Sequence, residues 1–108
     1  MNNKIINNSV KITVSGYVQG VGFRYYIARI AHNLNLTGYV KNLYNGNVEI
    51  YAEGRDEFLD ELIKNAKLGP SHSHVEDIRV EWAKPDAGEK DTSSGLDFNK
   101  KYNNFEIR

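Results

Sequence analysis

The run Val10-Lys-Ile-Thr-Val14-Ser-Gly16-Tyr-Val-Gln-Gly20-Val-Gly22-Phe-Arg24 decides the fold. In its first half Val10, Ile12 and Val14 alternate with Lys11, Thr13 and Ser15, the period of a half-buried strand. A glycine-rich turn follows. Then Phe23, Ile27, Ile30, Ala31 and Leu34 fall at helical spacing and form one apolar stripe. A glycine turn at a helix start exposes several backbone N–H groups at once, and an anion can sit on them. Arg24, in the first helical turn, adds a fixed positive fork over the same spot. Strand, turn and helix together read as a cradle for a phosphate.

Working outward, Met1 to Ser9 is polar and Asn-rich, and is expected to be a flexible N-terminal segment. Asn35 sits where a helix often ends in a left-handed residue. Gly38 to Tyr44 reads as a strand, and Asn45-Gly46 as a two-residue hairpin turn. Val48, Ile50 and Ala52 alternate with Glu49, Tyr51 and Glu53 in the return strand. Asp56 is expected to cap a second helix with the stripe Phe58, Leu59, Leu62, Ile63 and Ala66, stopped by Gly69-Pro70. Ile78, Val80 and Trp82 alternate in a fourth strand, and Phe105 and Ile107 suggest a short closing one. Pro85 to Tyr102 is polar and aperiodic, a long loop. The order β-α-β-β-α-β plus a terminal strand predicts an α+β fold. It is a ferredoxin-like two-layer sandwich, an antiparallel sheet with both helices on one face, over residues 10–108.

Composition bounds the function. The chain has 108 residues, enough for one domain with one modest core. Fourteen basic residues balance fourteen acidic ones. With no global field to recruit nucleic acid or an anionic membrane, any positive site must be local. There is no cysteine, hence no disulfide and no thiolate chemistry, which suits a cytoplasmic location. The beginning of the sequence lacks an apolar run of signal-peptide length, and no segment is long enough to span a bilayer. His72-Ser-His74 is a loop pair with only His32 elsewhere, so no metal site is expected. A monomer is expected, since the strands carry no long exposed apolar face.

The first strand and the strand after the helix run parallel, so their C-terminal ends share an edge with the helix N-terminus. Ligands in α/β layers tend to bind at such an edge. Asn42 lies near the end of that second strand and shares a face with Val40. It would point toward Arg24 and the glycine turn. A side chain with a donor, an acceptor and no charge suits the orientation of a water beside a phosphate.

The run Gly16-x-Val18-Gln19-Gly20-Val21-x-Phe23-Arg24, then Gly38-Tyr-Val40-Lys-Asn42, then Gly46-x-Val48, resembles the acylphosphatase family. The resemblance extends from about Val10 to Trp82 and resumes at Phe105-Glu106-Ile107-Arg108. It implies hydrolysis of carboxyl-phosphate mixed anhydrides without metal or cofactor. It implies that Arg24 holds the phosphate and that Asn42 positions the attacking water. It implies a backbone cradle over Tyr17, Val18, Gln19, Gly20, Val21, Gly22 and Phe23. The partner is then a small-molecule acyl phosphate, with no nucleic acid and no membrane. The chain departs from many members at Asn35, where glycine is common, and in the extended Pro85 to Tyr102 segment.

This chemistry asks little of a protein. The leaving carboxylate has a conjugate-acid pKa of about 4, so no general acid is required. The phosphoryl group passes through a loose transition state with charge on its oxygens. Charge stabilisation and a placed water are what remain to be supplied. The alternative is a non-catalytic phosphate- or RNA-binding module of the same fold, because fold alone does not settle function. Gln19 to Tyr26 matches an RNA-recognition octamer at Gly20, Gly22, Phe23 and Tyr26 but fails at Gln19, Val21 and Arg24. No G-x-x-x-x-G-K-[ST] loop occurs, and Tyr25 stands where a dinucleotide fingerprint needs its third glycine.

Overall fold

The computed structural model describes residues 7–83 and 101–108. The expectations for residues 1–6 and for most of the Pro85 to Tyr102 loop lie outside the described residues. Seven elements follow in order: β1 (Asn7–Tyr17), α1 (Phe23–Asn33), β2 (Thr37–Asn42), β3 (Val48–Arg55), α2 (Asp56–Leu68), β4 (His74–Trp82) and β5 (Phe105–Ile107). They form one sheet in the order β4-β1-β3-β2-β5, with both helices packed on it, the ferredoxin-like α+β sandwich.

The core is what the periodicities require. Val10, Ile12 and Val14 of β1, Val40 of β2, and Val48, Ile50 and Ala52 of β3 are buried on one sheet face. Phe23, Ile27 and Ala31 of α1 and Leu59, Leu62 and Ala66 of α2 are buried with them. Each large side chain removed from water here contributes about 1.5–3 kcal/mol. Ile30, Phe58 and Ile63 are half-buried at the margins of the two stripes.

Several expectations are corrected. The sheet is mixed rather than antiparallel, because β5 pairs with β2 in parallel, Gly38 opposite Phe105. β1 begins at Asn7, ahead of the expected start at Val10, and Asn8 and Ser9 are buried. Asn8 and Ser9 pair with Gly54 and Glu53, and the Asn8 amide donates to the Asp56 carboxylate. Asp56 is therefore the first residue of α2 rather than its cap, a position held by Arg55 without a side-chain bond. The hairpin turn is not a two-residue one. Gly46 N–H bonds to the Leu43 carbonyl, Gly46 has φ 95°, and Asn45 keeps a negative φ. That is a three-residue loop in which the glycine takes the left-handed step of a bulge. The Asn45 side chain accepts from Asn47 N–H at 3.0 Å instead.

β4 begins at His74, earlier than its alternation suggests. The register between β1 and β4 slips at Ser15/Gly16, with Ser15 opposite Asp77 and Gly16 opposite Val75. This bulge absorbs one residue, so half-buried Val75 and Ile78 serve one strand despite their odd spacing. Asn35 has φ 57°, the left-handed helix end its position predicts.

The opposite sheet face carries a tyrosine cluster. Tyr39 and Tyr51 stack with centroids 5.8 Å apart, and Tyr102 packs on both. Buried Glu53 gathers four bonds there, from Thr37 Oγ1, Tyr51 OH, and the backbone N–H groups of Lys101 and Tyr102. It thereby ties the segment entering β5 to the sheet. Burial first, and then its bond to Glu49, push the Tyr39 phenol well above its ordinary value; burial also raises Tyr51 and Tyr26. The unfolded chain releases these protons near pH 10, the folded one later. Between those points the unfolded state binds fewer protons, so stability falls as pH rises beyond about 10. Urea unfolding across that range is expected to show the fall, and Tyr39→Phe to make it shallower. An equal slope in the two proteins would contradict this reading.

Candidate active site

Because β1 and β2 both pair antiparallel with β3, they are parallel to each other. Their C-terminal ends, Tyr17 and Asn42, therefore lie at one edge of the sheet, with the start of α1 beside them. The seven expected cradle residues are continuous there. Tyr17 is the last residue of β1, Val18 to Gly22 form the turn, and Phe23 opens α1. Val18 and Phe23 are buried and anchor the turn at both ends. Gly20 and Gly22 have φ 77° and 80°, where a side chain would be strained, and a Cβ at either would meet nothing within 4 Å. The glycines thus serve the backbone path, and the space above the turn is open.

The N-terminus of α1 is prepared for an anion. Gly22 is its N-cap, in the left-handed region, and no side chain caps the helix. The first intrahelical bond runs from Tyr26 N–H to the Gly22 carbonyl. The N–H groups of Phe23, Arg24 and Tyr25 thus have no partner within the helix. The first turn holds no acidic residue, and half-buried Arg24 stands in it. A cation at the positive end of a helix dipole is unfavourable unless an anion joins it. By contrast, α2 carries Asp56 and Glu57 in its first turn, the ordinary way to complement the dipole.

Arg24 is oriented from outside its helix. Its Nη1 donates to the backbone oxygen of Arg108 at 2.8 Å, just beyond β5. One of the five guanidinium N–H bonds is so used, and the planar fork is held in one direction. Arg108 N–H in turn bonds to the Val40 carbonyl at 2.8 Å, two residues from Asn42. Asn42 closes β2 opposite Val48, is exposed, and by alternation lies on the face of buried Val40.

Two features went unread in the sequence. One is the Arg108 backbone oxygen, a group without a side-chain signature. The other is the Gln19 side chain, whose Nε2 donates to the carbonyls of Leu43 and Asn47, both at 2.8 Å. It joins the cradle to the hairpin that begins after Asn42. The histidines do not gather. His32 Nε2 lies 3.2 Å from the Phe105 carbonyl, His72 precedes β4, and His74 opens it. Among the described residues no group of three or more His, Asp or Glu side chains is placed to hold a metal ion. No described helix is long and apolar enough to cross a membrane. The octamer-like run Gln19 to Tyr26 lies in the turn and on α1, not on a central strand where RNA-recognition aromatics stack.

Comparison with known proteins shows the family and the fold. The acylphosphatase family model matches residues 10–93. The acylphosphatase of Archaeoglobus fulgidus is 47% identical over 75 residues, 69% of this chain and 84% of that protein. That of Caldivirga maquilingensis is 51% identical over 73 residues, 67% of this chain and 77% of the relative. The crystal structure of acylphosphatase from Bacillus subtilis superposes with a TM-score of 0.76 at 36% identity, covering 94% of this chain and 98% of the other.

Proposed function

The chain belongs to the acylphosphatase family and hydrolyses acyl phosphates, and we propose that the glycine turn and Arg24 hold the phosphate while Asn42 orients the attacking water. The observation that carries this assignment is the uncapped, acid-free N-terminus of α1 with a cation in its first turn. The phosphate oxygens accept from the backbone N–H groups of Tyr17 to Phe23 and from the Arg24 fork. These donors are fixed before substrate arrives, so they need no reorganisation as charge spreads over the phosphoryl oxygens. The Asn42 carboxamide oxygen accepts a hydrogen bond from the water, so that the water's lone pair points at phosphorus, opposite the carboxylate that leaves. The P–O bond to the acyl group breaks as the water oxygen bonds to phosphorus. A phosphate oxygen takes the water's proton. The products are a carboxylate and inorganic phosphate. The carboxylate departs as an anion at neutral pH, so neither a general acid nor a metal is required.

The test is hydrolysis of benzoyl phosphate by purified protein in the presence of EDTA. Turnover is expected to survive the chelator. Asn42→Ala is expected to lower kcat by roughly 10²-fold, the scale of losing one preorganised polar group, with little change in KM. A normal kcat in that variant would remove Asn42 from the mechanism. The proposal has the protein acting as a cytoplasmic monomer. The absence of cysteine suits a reducing compartment, and β4, at one end of the sheet, exposes His74, Glu76, Asp77, Arg79 and Glu81 rather than apolar residues. Light scattering on the eluting protein, giving the mass of one chain, checks the second point.

A further inference from the structure

We infer that the Gln19 side chain is a positioning residue, a clasp that sets the distance between the phosphate cradle and Asn42; this rests on the role assigned to Asn42 above. The turn from Val18 to Gly22 and the hairpin from Leu43 to Asn47 are separate loops, joined to different strands. Their relative placement decides whether the water meets the phosphorus in line. Half-buried Gln19 spans them. Its Nε2 lies 2.8 Å from the Leu43 carbonyl and 2.8 Å from the Asn47 carbonyl.

The chemistry of the bridge is specific. Both partners are acceptors, so only the NH2 end of the carboxamide can face them, one N–H to each. Glutamate would set an oxygen against two carbonyls, and asparagine is one methylene shorter. The two carbonyls bracket the hairpin, since Leu43 N–H itself bonds to Asn47 O at 2.8 Å. Leu43 is also the residue after Asn42. A bond to its carbonyl holds the Leu43–Tyr44 peptide, one residue beyond Asn42, and makes no contact with Arg24, which Arg108 holds separately. Gln19 therefore serves water placement rather than phosphate binding. Its backbone N–H stays in the cradle whatever the side chain.

The experiment is a double-mutant cycle. Wild type, Gln19→Met, Asn42→Ala and the double variant are assayed for kcat and KM with benzoyl phosphate, and for Ki with inorganic phosphate. Methionine keeps the length of the side chain and removes both donors. Gln19→Met is expected to lower kcat about tenfold, less than the roughly 10²-fold that a misplacement of about 1 Å can cost, while KM and Ki change less than about twofold. In the Asn42→Ala background the same substitution is expected to have no further effect, because it acts through Asn42. A full tenfold drop in that background, or a Ki that rises in step with the fall in kcat, would overturn the inference. An unaffected Gln19→Met beside a collapsed Asn42→Ala would overturn it alone. A normal Asn42→Ala would overturn it together with the assignment beneath it. Should Gln19→Met not fold, the wild type still answers. The Gln19 carboxamide protons are expected to exchange with solvent much more slowly than those of a free glutamine, and exchange at the free rate would overturn the inference.

Discussion

Arg24→Ala is expected to lower the turnover of benzoyl phosphate by roughly 10²-fold or more and to weaken inhibition by inorganic phosphate. Two separate losses add. The first is electrostatic, since the guanidinium is the charged donor at a helix start that has no acidic residue of its own. The second is geometric, since the Nη1 bond to Arg108 prepays the orientation of the fork. Arg24→Lys separates them. It keeps the charge and replaces a planar fork by a point charge, so it should recover only part of the loss. The variant should fold well. Arg24 is half-buried and forms no part of the core, and its removal frees the helix N-terminus of a like-signed charge. Circular dichroism like that of the wild type, with turnover collapsed, is the expected pair of observations. Near-normal turnover would sink the assignment of the site.

Gly38→Ala is expected to be the most damaging single methyl group, lowering stability by about 4 kcal/mol or more out of a total of roughly 5–15. Gly38 lies in β2 between two partners, opposite Ala52 in β3 and Phe105 in β5. Its φ is 138°, and a Cβ there would stand 1.9 Å from the Tyr51 carbonyl oxygen and 2.8 Å from its carbon. Both are backbone atoms of a paired strand, so neither can step aside as a side chain would. The same strand ends in Asn42, and its other neighbour leads to the backbone oxygen that holds Arg24. Activity should therefore fall with the fold. Chemical denaturation measures the effect through the midpoint, and a loss below about 1 kcal/mol would show that β2 and β3 separate more easily than their pairing suggests.

Much of this was legible in the chain. The alternation of Val10, Ile12 and Val14 and the helical spacing of Phe23, Ile27 and Ala31 are local periods, and local periods determine which face is buried. Asn35 shows its left-handed step because the need arises within one turn of helix. The edge shared by Tyr17, Arg24 and Asn42 follows from the β-α-β order, which leaves little choice of direction. What misled were signals with two local readings. Asn45-Gly46 suits a two-residue turn as well as a bulged three-residue loop, and the pairing of Leu43 with Asn47 chose the second. Val75 and Ile78 look out of phase until the bulge opposite Gly16 is seen.

By itself, then, the sequence determined the layers and the sheet edge that gathers Tyr17, Arg24 and Asn42, because periodicity and glycine conformation are properties of neighbouring residues. Tertiary structure alone decided how those side chains are held. Gln19 reaches the hairpin across 24 residues, Glu53 takes the backbone of Lys101 across 48, and Arg24 meets a backbone oxygen 84 residues away. A polar atom whose partner is a distant backbone carbonyl or N–H leaves no pattern in the chain. The backbone presents the same groups at nearly every residue, and only folding selects which of them comes within 3 Å.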